Sequence, residues 1–250
     1  MKKTMAIVPG NGYLNFPVRN DGDLSTVTIA ADGAKADAFQ IELTEGEPDY
    51  WAYCEIGGYA GKTIDIIVDG YGGTSEVLDL IEQDADIKGA QDLYREKHRP
   101  RFHFSSKRGW LNDPNGLVYC NGVYHLFYQH NPYGTKWGNM HWGHAVSHDL
   151  LHWKERGEAL KPDETGPMYS GSGVVDTNNT SGLKNGEEGL LVFLYTAAGG
   201  TSEWSKGRKF TQCLAYSRDG GKTLVKYEGN PVLEHLVKEN RDPRVFWHGP

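Results

Sequence analysis

No stretch of this chain keeps the three- to four-residue apolar period of an amphipathic helix over any useful length. Its apolar residues fall instead into short runs, rich in β-branched and aromatic types, that Gly, Asn, Asp and Pro cut off at both ends. A chain punctuated in this way buries its apolar surface by pairing strands, so the expected fold is all-β.

The runs TVTIAADG, AFQIELTEG, YWAYCEI and KTIDIIVDGYGG alternate well enough to predict a small β-sandwich with solvated outer faces, placed at residues 1–85. The following IEQDADIKGAQDLYREKHRP is polar and charged, the composition of a linker or covering arm, and residues 86–99 are assigned to it. Aromatic density then rises, and a second domain is expected over residues 100–250. Within it LVYC and VYHLFYQ flank Asn121-Gly122, whose tolerance of positive φ predicts a type I′ hairpin over 117–129. Ala145-Val146-Ser147-His148-Asp149 is echoed by Ala215-Tyr216-Ser217-Arg218-Asp219, and the second copy continues as an S-x-D-x-G-x-T turn. A repeated strand, turn and strand at that period suggests propeller blades.

Composition removes several function classes. The formal net charge is −7 and the sequence has no Lys/Arg-rich run, so no nucleic-acid partner is expected. Cys54, Cys120 and Cys213 are too few and too far apart for a disulfide framework or a CxxC metal motif, and are expected as buried small apolar residues. No run approaches the roughly 20 apolar residues of a membrane span. The opening MKKTMAIVPG has two lysines, but Pro9, Gly10 and Asn11 interrupt any apolar core of a signal peptide. A periplasmic or extracellular location would follow only from an export signal already removed.

The chemistry concentrates in GWLNDPNGLVY. Read alone, N-D-P-N-G is a turn. Pro114 also pushes the residue before it into extended geometry, so Asp113 is expected to project from a strand end, where a carboxylate can serve as nucleophile or base if other groups converge on it. RDPRVFWH repeats the device, with Asp242 expected to be extended before Pro243 and Arg241 beside it. Between the two lie segments dense in Trp, amide and hydroxyl groups, which suit sugar rings and their hydroxyls. His144, His148 and His152 recur every four residues, the spacing of metal ligands on a helix, but their flanks read as strand and turn.

Five segments carry a more specific signal: Trp110-Leu111-Asn112-Asp113-Pro114-Asn115-Gly116, Tyr128-Gln129-His130-Asn131-Pro132, Trp137-Gly138-Asn139-Met140-His141-Trp142-Gly143-His144, Tyr169-Ser170-Gly171-Ser172 and Arg241-Asp242-Pro243. In this order they resemble glycoside hydrolase family 32, the invertases, levanases and inulinases. Residues 1–85 resemble the extra N-terminal β-domain of some Bacteroidetes relatives. The resemblance implies a five-bladed β-propeller, incomplete here, acting on a fructan or sucrose with no metal or organic cofactor. It implies that Asp113 is the nucleophile of a retaining mechanism and Asp242 the transition-state stabiliser. Trp110, Asn112, Gln129, Trp137, Tyr169, Ser170 and Arg241 would bind substrate. The family's general acid is a Glu in a Glu-Cys pair beyond Arg-Asp-Pro. None of Glu187, Glu188, Glu203, Glu228, Glu234 and Glu239 is followed by Cys. The chain is therefore expected to be the N-terminal part of a longer enzyme or, as the alternative, a truncated, non-catalytic fructan-binding module.

Overall fold

A computed structural model describes residues 2–186 and 189–248, so that Glu187 and Glu188 lie outside the described residues. The fold is all-β and divides into two units, one of Met1–Trp110 with Asn131–Asn139, the other of Leu111–His130 with Met140–Pro250.

In the first unit β1 (Lys3–Ile7), β6 (Ile64–Asp69), β3 (Leu24–Ala31) and β4 (Ala34–Glu42) pair in the order β1-β6-β3-β4. β5 (Tyr50–Glu55), β2 (Tyr13–Val18) and β7 (Glu82–Asp84) form a second sheet in the order β5-β2-β7. Alternation is cleanest in β6, where Ile64, Ile66 and Val68 are buried and the residues between them are not. Those side chains join Leu14, Phe16, Val27, Phe39 and Ile41 in one core shared by both sheets. Residues 86–99 belong to this unit. Asn15, fully buried, requires partners, and it finds them by accepting from Lys88 N at 2.9 Å and donating to Asp86 O at 3.3 Å.

The segment Asn131–Asn139, expected with the second domain, also packs here. Its Tyr133 ring stacks on Phe39 at 3.6 Å between centroids. Asn139 acts as an extra rung on β4, accepting from Gln40 N and donating to Gln40 O, both at 2.8 Å. The apolar pull of one tyrosine and the open edge of β4 account for a departure that composition does not reveal.

The second unit contains two four-stranded antiparallel meanders with a propeller-like arrangement. β8 (Trp110–Cys120), β9 (Val123–Asn131), β10 (His141–Ser147) and β11 (Trp153–Leu160) make the first. β12 (Met168–Val175), β13 (Leu191–Ala198), β14 (Phe210–Ser217) and β15 (Val225–Lys226) make the second. Asn121 and Gly122 have φ of 52° and 81°, and between them β8 turns into β9 as the Asn-Gly signal predicts. The echoed pentapeptides occupy equivalent corners, before β11 and before β15. In the first, Ser147 Oγ donates to Asp149 Oδ1 at 3.1 Å; in the second, Ser217 Oγ donates to Asp219 Oδ1 at 2.7 Å. The core between the sheets holds Val118, Phe127, Trp142, Phe193 and Tyr195, and all three cysteines of the chain are buried and unbridged.

Candidate active site

The stretch N-D-P-N-G is not a turn but the middle of β8. Pro114 lies on β8, the edge strand of its sheet, which is the place in a sheet that accommodates proline. Gly116 is required twice over. Its φ is 50°, and a Cβ there would meet the Phe193 and Trp142 rings at 2.9 to 3.0 Å. The chain is therefore kinked within the strand, with Asn115 and Gly116 buried and Asp113 and Pro114 exposed.

Asp113 accepts a hydrogen bond from Ser170 Oγ at 2.8 Å. Ser170 comes from β12, the edge strand of the second sheet, at a bulge: Tyr169 pairs with Thr196 and Gly171 with Tyr195, so Ser170 is the extra residue. Bulges re-aim side chains in this way. Gly171 permits it, since a Cβ there would collide with the Leu194 carbonyl on β13. Behind the pair lies Asn115. Its amide oxygen accepts from Gln129 Nε2 at 3.0 Å and Gln129 N at 3.2 Å, while its NH₂ faces Ser170 Oγ and Pro114 O, both at 3.3 Å. Gln129 Nε2 also donates to Met168 O at 2.8 Å. These buried amides tie β8, β9 and β12 together beneath the carboxylate.

Asp242 departs from expectation. Its φ is 62°, left-handed rather than extended, despite the proline after it. Tertiary hydrogen bonds decide the conformation: Asp242 N donates to Thr196 Oγ1 at 3.0 Å, Ser172 Oγ donates to Pro243 O at 2.9 Å, and Val245 N donates to Ser172 Oγ at 2.7 Å. The open edge of β12 thus receives residues 242–245 through a side-chain hydroxyl. Arg241 Nε lies 3.7 Å from Asp242 Oδ2, with both side chains about half exposed, a pairing that contributes little to stability. Burial raises the Asp242 carboxyl above the usual range, Arg241 draws it back, and the negative charge of Asp113 raises it again. The two acids share one electrostatic environment.

The other expected site residues are distributed as follows. Asn112 is half-buried on β8. Gln129 is buried beneath the acids. Tyr169 is buried, its carbonyl accepting from Trp142 Nε1 at 3.0 Å and its ring edge-on to Phe210. Trp110 and Trp137 fall in the first unit. There Trp110 N donates to Gly134 O at 2.9 Å, and Trp137 lines a cavity of about 290 Å³ with Gln40, Glu42 and Lys136. The three histidines diverge. His144 faces His125 Nδ1 at 3.1 Å, His148 meets Gly122 O at 3.0 Å, and His152 pairs with Asp149 at 2.7 Å. Among the described residues no group of three or more His, Cys, Asp or Glu is arranged to hold a metal ion.

The sequence and the fold have counterparts in known proteins. The model of the glycosyl hydrolases family 32 N-terminal domain matches residues 103–250. The chain belongs to glycosyl hydrolase family 32. The levanase of Bacillus subtilis (strain 168) is 52% identical over 156 residues, covering 62% of this chain and 22% of that protein. The invertase of Schizosaccharomyces pombe is 44% identical over 162 residues, 62% of this chain and 27% of its own length. The crystal structure of the exo-inulinase from Aspergillus awamori superposes with a TM-score of 0.56 at 42% identity, over 62% of this chain and 34% of that one. The chain thus spans about a fifth to a third of the length of these relatives.

Sequence reasoning did not find Asn115, Ser172 and Thr196 as parts of the site. Asn115 and Ser172 stand inside segments already singled out, yet nothing local marks them as supports. Thr196 sits in the apolar run LVFLYTAA, where a single polar residue is the available sign.

Proposed function

We propose that the protein carrying this chain is a retaining glycoside hydrolase that releases fructose or fructo-oligosaccharides from levan, inulin or sucrose. The observation that carries the reading is the pairing of Asp113 and Asp242 around β12: Ser170 holds the first, Ser172 holds the segment of the second, and the charge of one raises the proton affinity of the other. Asp113 attacks the anomeric carbon of a fructosyl unit as the glycosidic C–O bond breaks, and water then releases the sugar from the resulting ester. Asp242 stabilises the oxocarbenium-like positive charge in both steps. Burial and Asp113 raise the Asp242 carboxyl and Arg241 opposes them, while Ser170 orients Asp113 through its hydroxyl. The acid that protonates the leaving oxygen is a separate Glu of a Glu-Cys pair, a pair that does not occur in residues 1–250. A retaining enzyme needs that acid about 5 Å from the nucleophile.

The levanase, invertase and exo-inulinase names support fructosyl transfer to water, and the propeller-like sheets support a five-bladed propeller whose first blades occupy residues 100–250. Residues 1–85 are read as an N-terminal β-sandwich accessory domain and 86–99 as the arm that follows it. The test is to incubate the protein with levan, inulin and sucrose and resolve product size and anomeric configuration at early times. Fructose or short fructans of retained configuration are expected. Inverted product would remove the covalent intermediate, and binding without turnover would favour the fructan-binding module.

A further inference from the structure

Thr196 is fully buried in an otherwise apolar strand, and its hydroxyl bonds two segments distant in the sequence. It donates to Gln212 Oε1 at 2.7 Å, directly across the β13–β14 ladder, and accepts from Asp242 N at 3.0 Å. Gln212 is anchored in turn, its Nε2 donating to Asn240 O at 2.9 Å. Because a hydroxyl has one proton, the bond to Gln212 turns a lone pair of Thr196 toward the Asp242 N–H. Just after Asp242, Ser172 grips the chain a second time, as donor to the Pro243 carbonyl and acceptor from Val245 N. The aspartate between these two grips has a φ of 62°, a left-handed conformation that aspartate tolerates better than most residues but that the following proline does not favour.

We infer that Thr196 and Ser172 are positioning residues: their hydroxyls hold the Asp242-Pro243 backbone in its left-handed turn and thereby set where the Asp242 carboxylate meets the substrate. The inference rests on the role proposed for Asp242. It assigns no contact with substrate to either hydroxyl. Thr196→Val keeps the volume and branching and deletes the hydroxyl, so the strand is retained while the N–H of Asp242 loses its acceptor.

The experiment measures kcat and KM on the full protein for Thr196→Val, Thr196→Ser, Asp242→Asn and the Thr196→Val/Asp242→Asn double variant, with thermal midpoints for each. Thr196→Val is expected to lower kcat by about 10- to 100-fold, the effect of misplacing a reacting group by a fraction of an ångström to an ångström. KM should change little, and Thr196→Ser should restore most of the rate. In the Asp242→Asn background the valine should cost almost nothing further, since the carboxylate it positions is gone. A valine effect of equal size in both backgrounds would show a general structural role and overturn the inference, as would an unchanged kcat. If Asp242→Asn by itself leaves turnover intact, the reading of the site fails, and the positioning role with it. Should Thr196→Val not fold, Ser172→Ala carries the same expectations from the other grip.

Discussion

Asp113-Pro114 and Asp242-Pro243 are the same dipeptide, and local rules assign them the same geometry; the fold treats them oppositely. Asp113 lies in the body of β8, extended, with a proline that an edge strand accommodates and a carboxylate held by one serine. Asp242 lies in no strand, at a φ of 62°, and its backbone is held by the hydroxyls of Thr196 and Ser172. A pre-proline preference is a modest bias. It prevails where the ladder agrees with it and yields where several partly buried hydrogen bonds, each worth about 1 kcal/mol, act against it. Asp113 is thus placed by secondary structure and Asp242 by tertiary structure.

The largest test of this contrast is Asp113→Asn, which should reduce turnover by about 10⁴-fold or more while circular dichroism is unchanged, since the amide matches the carboxylate in shape but cannot form the ester. Hydrolysis near the wild-type rate would take Asp113 out of the nucleophile's role. Asp242→Asn comes next, with kcat lower by about 10²- to 10³-fold, as for removal of a preorganised charge-stabilising group, and KM nearly constant. A change confined to KM would mean that Asp242 holds substrate and transition state equally.

Gly116→Ala probes the strand that carries Asp113. The added methyl has to displace the buried Phe193 or Trp142 ring and adopt a φ of 50°, so a loss of about 2–4 kcal/mol in unfolding free energy is expected. Denaturant titration would measure it, and a neutral result would mean that β8 can straighten without cost. The smallest effect concerns the electrostatics of the second acid. Arg241 lowers the pKa of Asp242 against the raising influence of burial and of Asp113, so Arg241→Gln should raise it further. Activity that depends on ionised Asp242 is lost as pH falls through that pKa, so the acid limb of the kcat/KM profile should move to higher pH in the variant. A shift toward lower pH would contradict the sign.

Features that depend on neighbouring residues were legible in the sequence. The Asn121-Gly122 hairpin follows from two residues that accept positive φ, and the paired Ser147/Asp149 and Ser217/Asp219 corners follow from side chains that accept hydrogen bonds from the nearby backbone. Asp113, Asp242 and Ser170 were legible through a resemblance spread over several segments. The packing of Tyr133 on Phe39 was not, because its partner lies far away in the chain and neither residue is marked by its neighbours.

By itself the sequence determined the strand-rich class, the Asn-Gly hairpin and the Ser-x-Asp corners, because each depends on interactions within a few residues. Tertiary structure alone decided that N-D-P-N-G would be strand, that residues 131–139 would pack with the first unit, and that Asp242 would turn left-handed. The reason is common to all three. A local preference of about a kilocalorie per mole is outweighed when a distant segment supplies a buried ring, an open sheet edge or a hydroxyl that satisfies an otherwise stranded N–H.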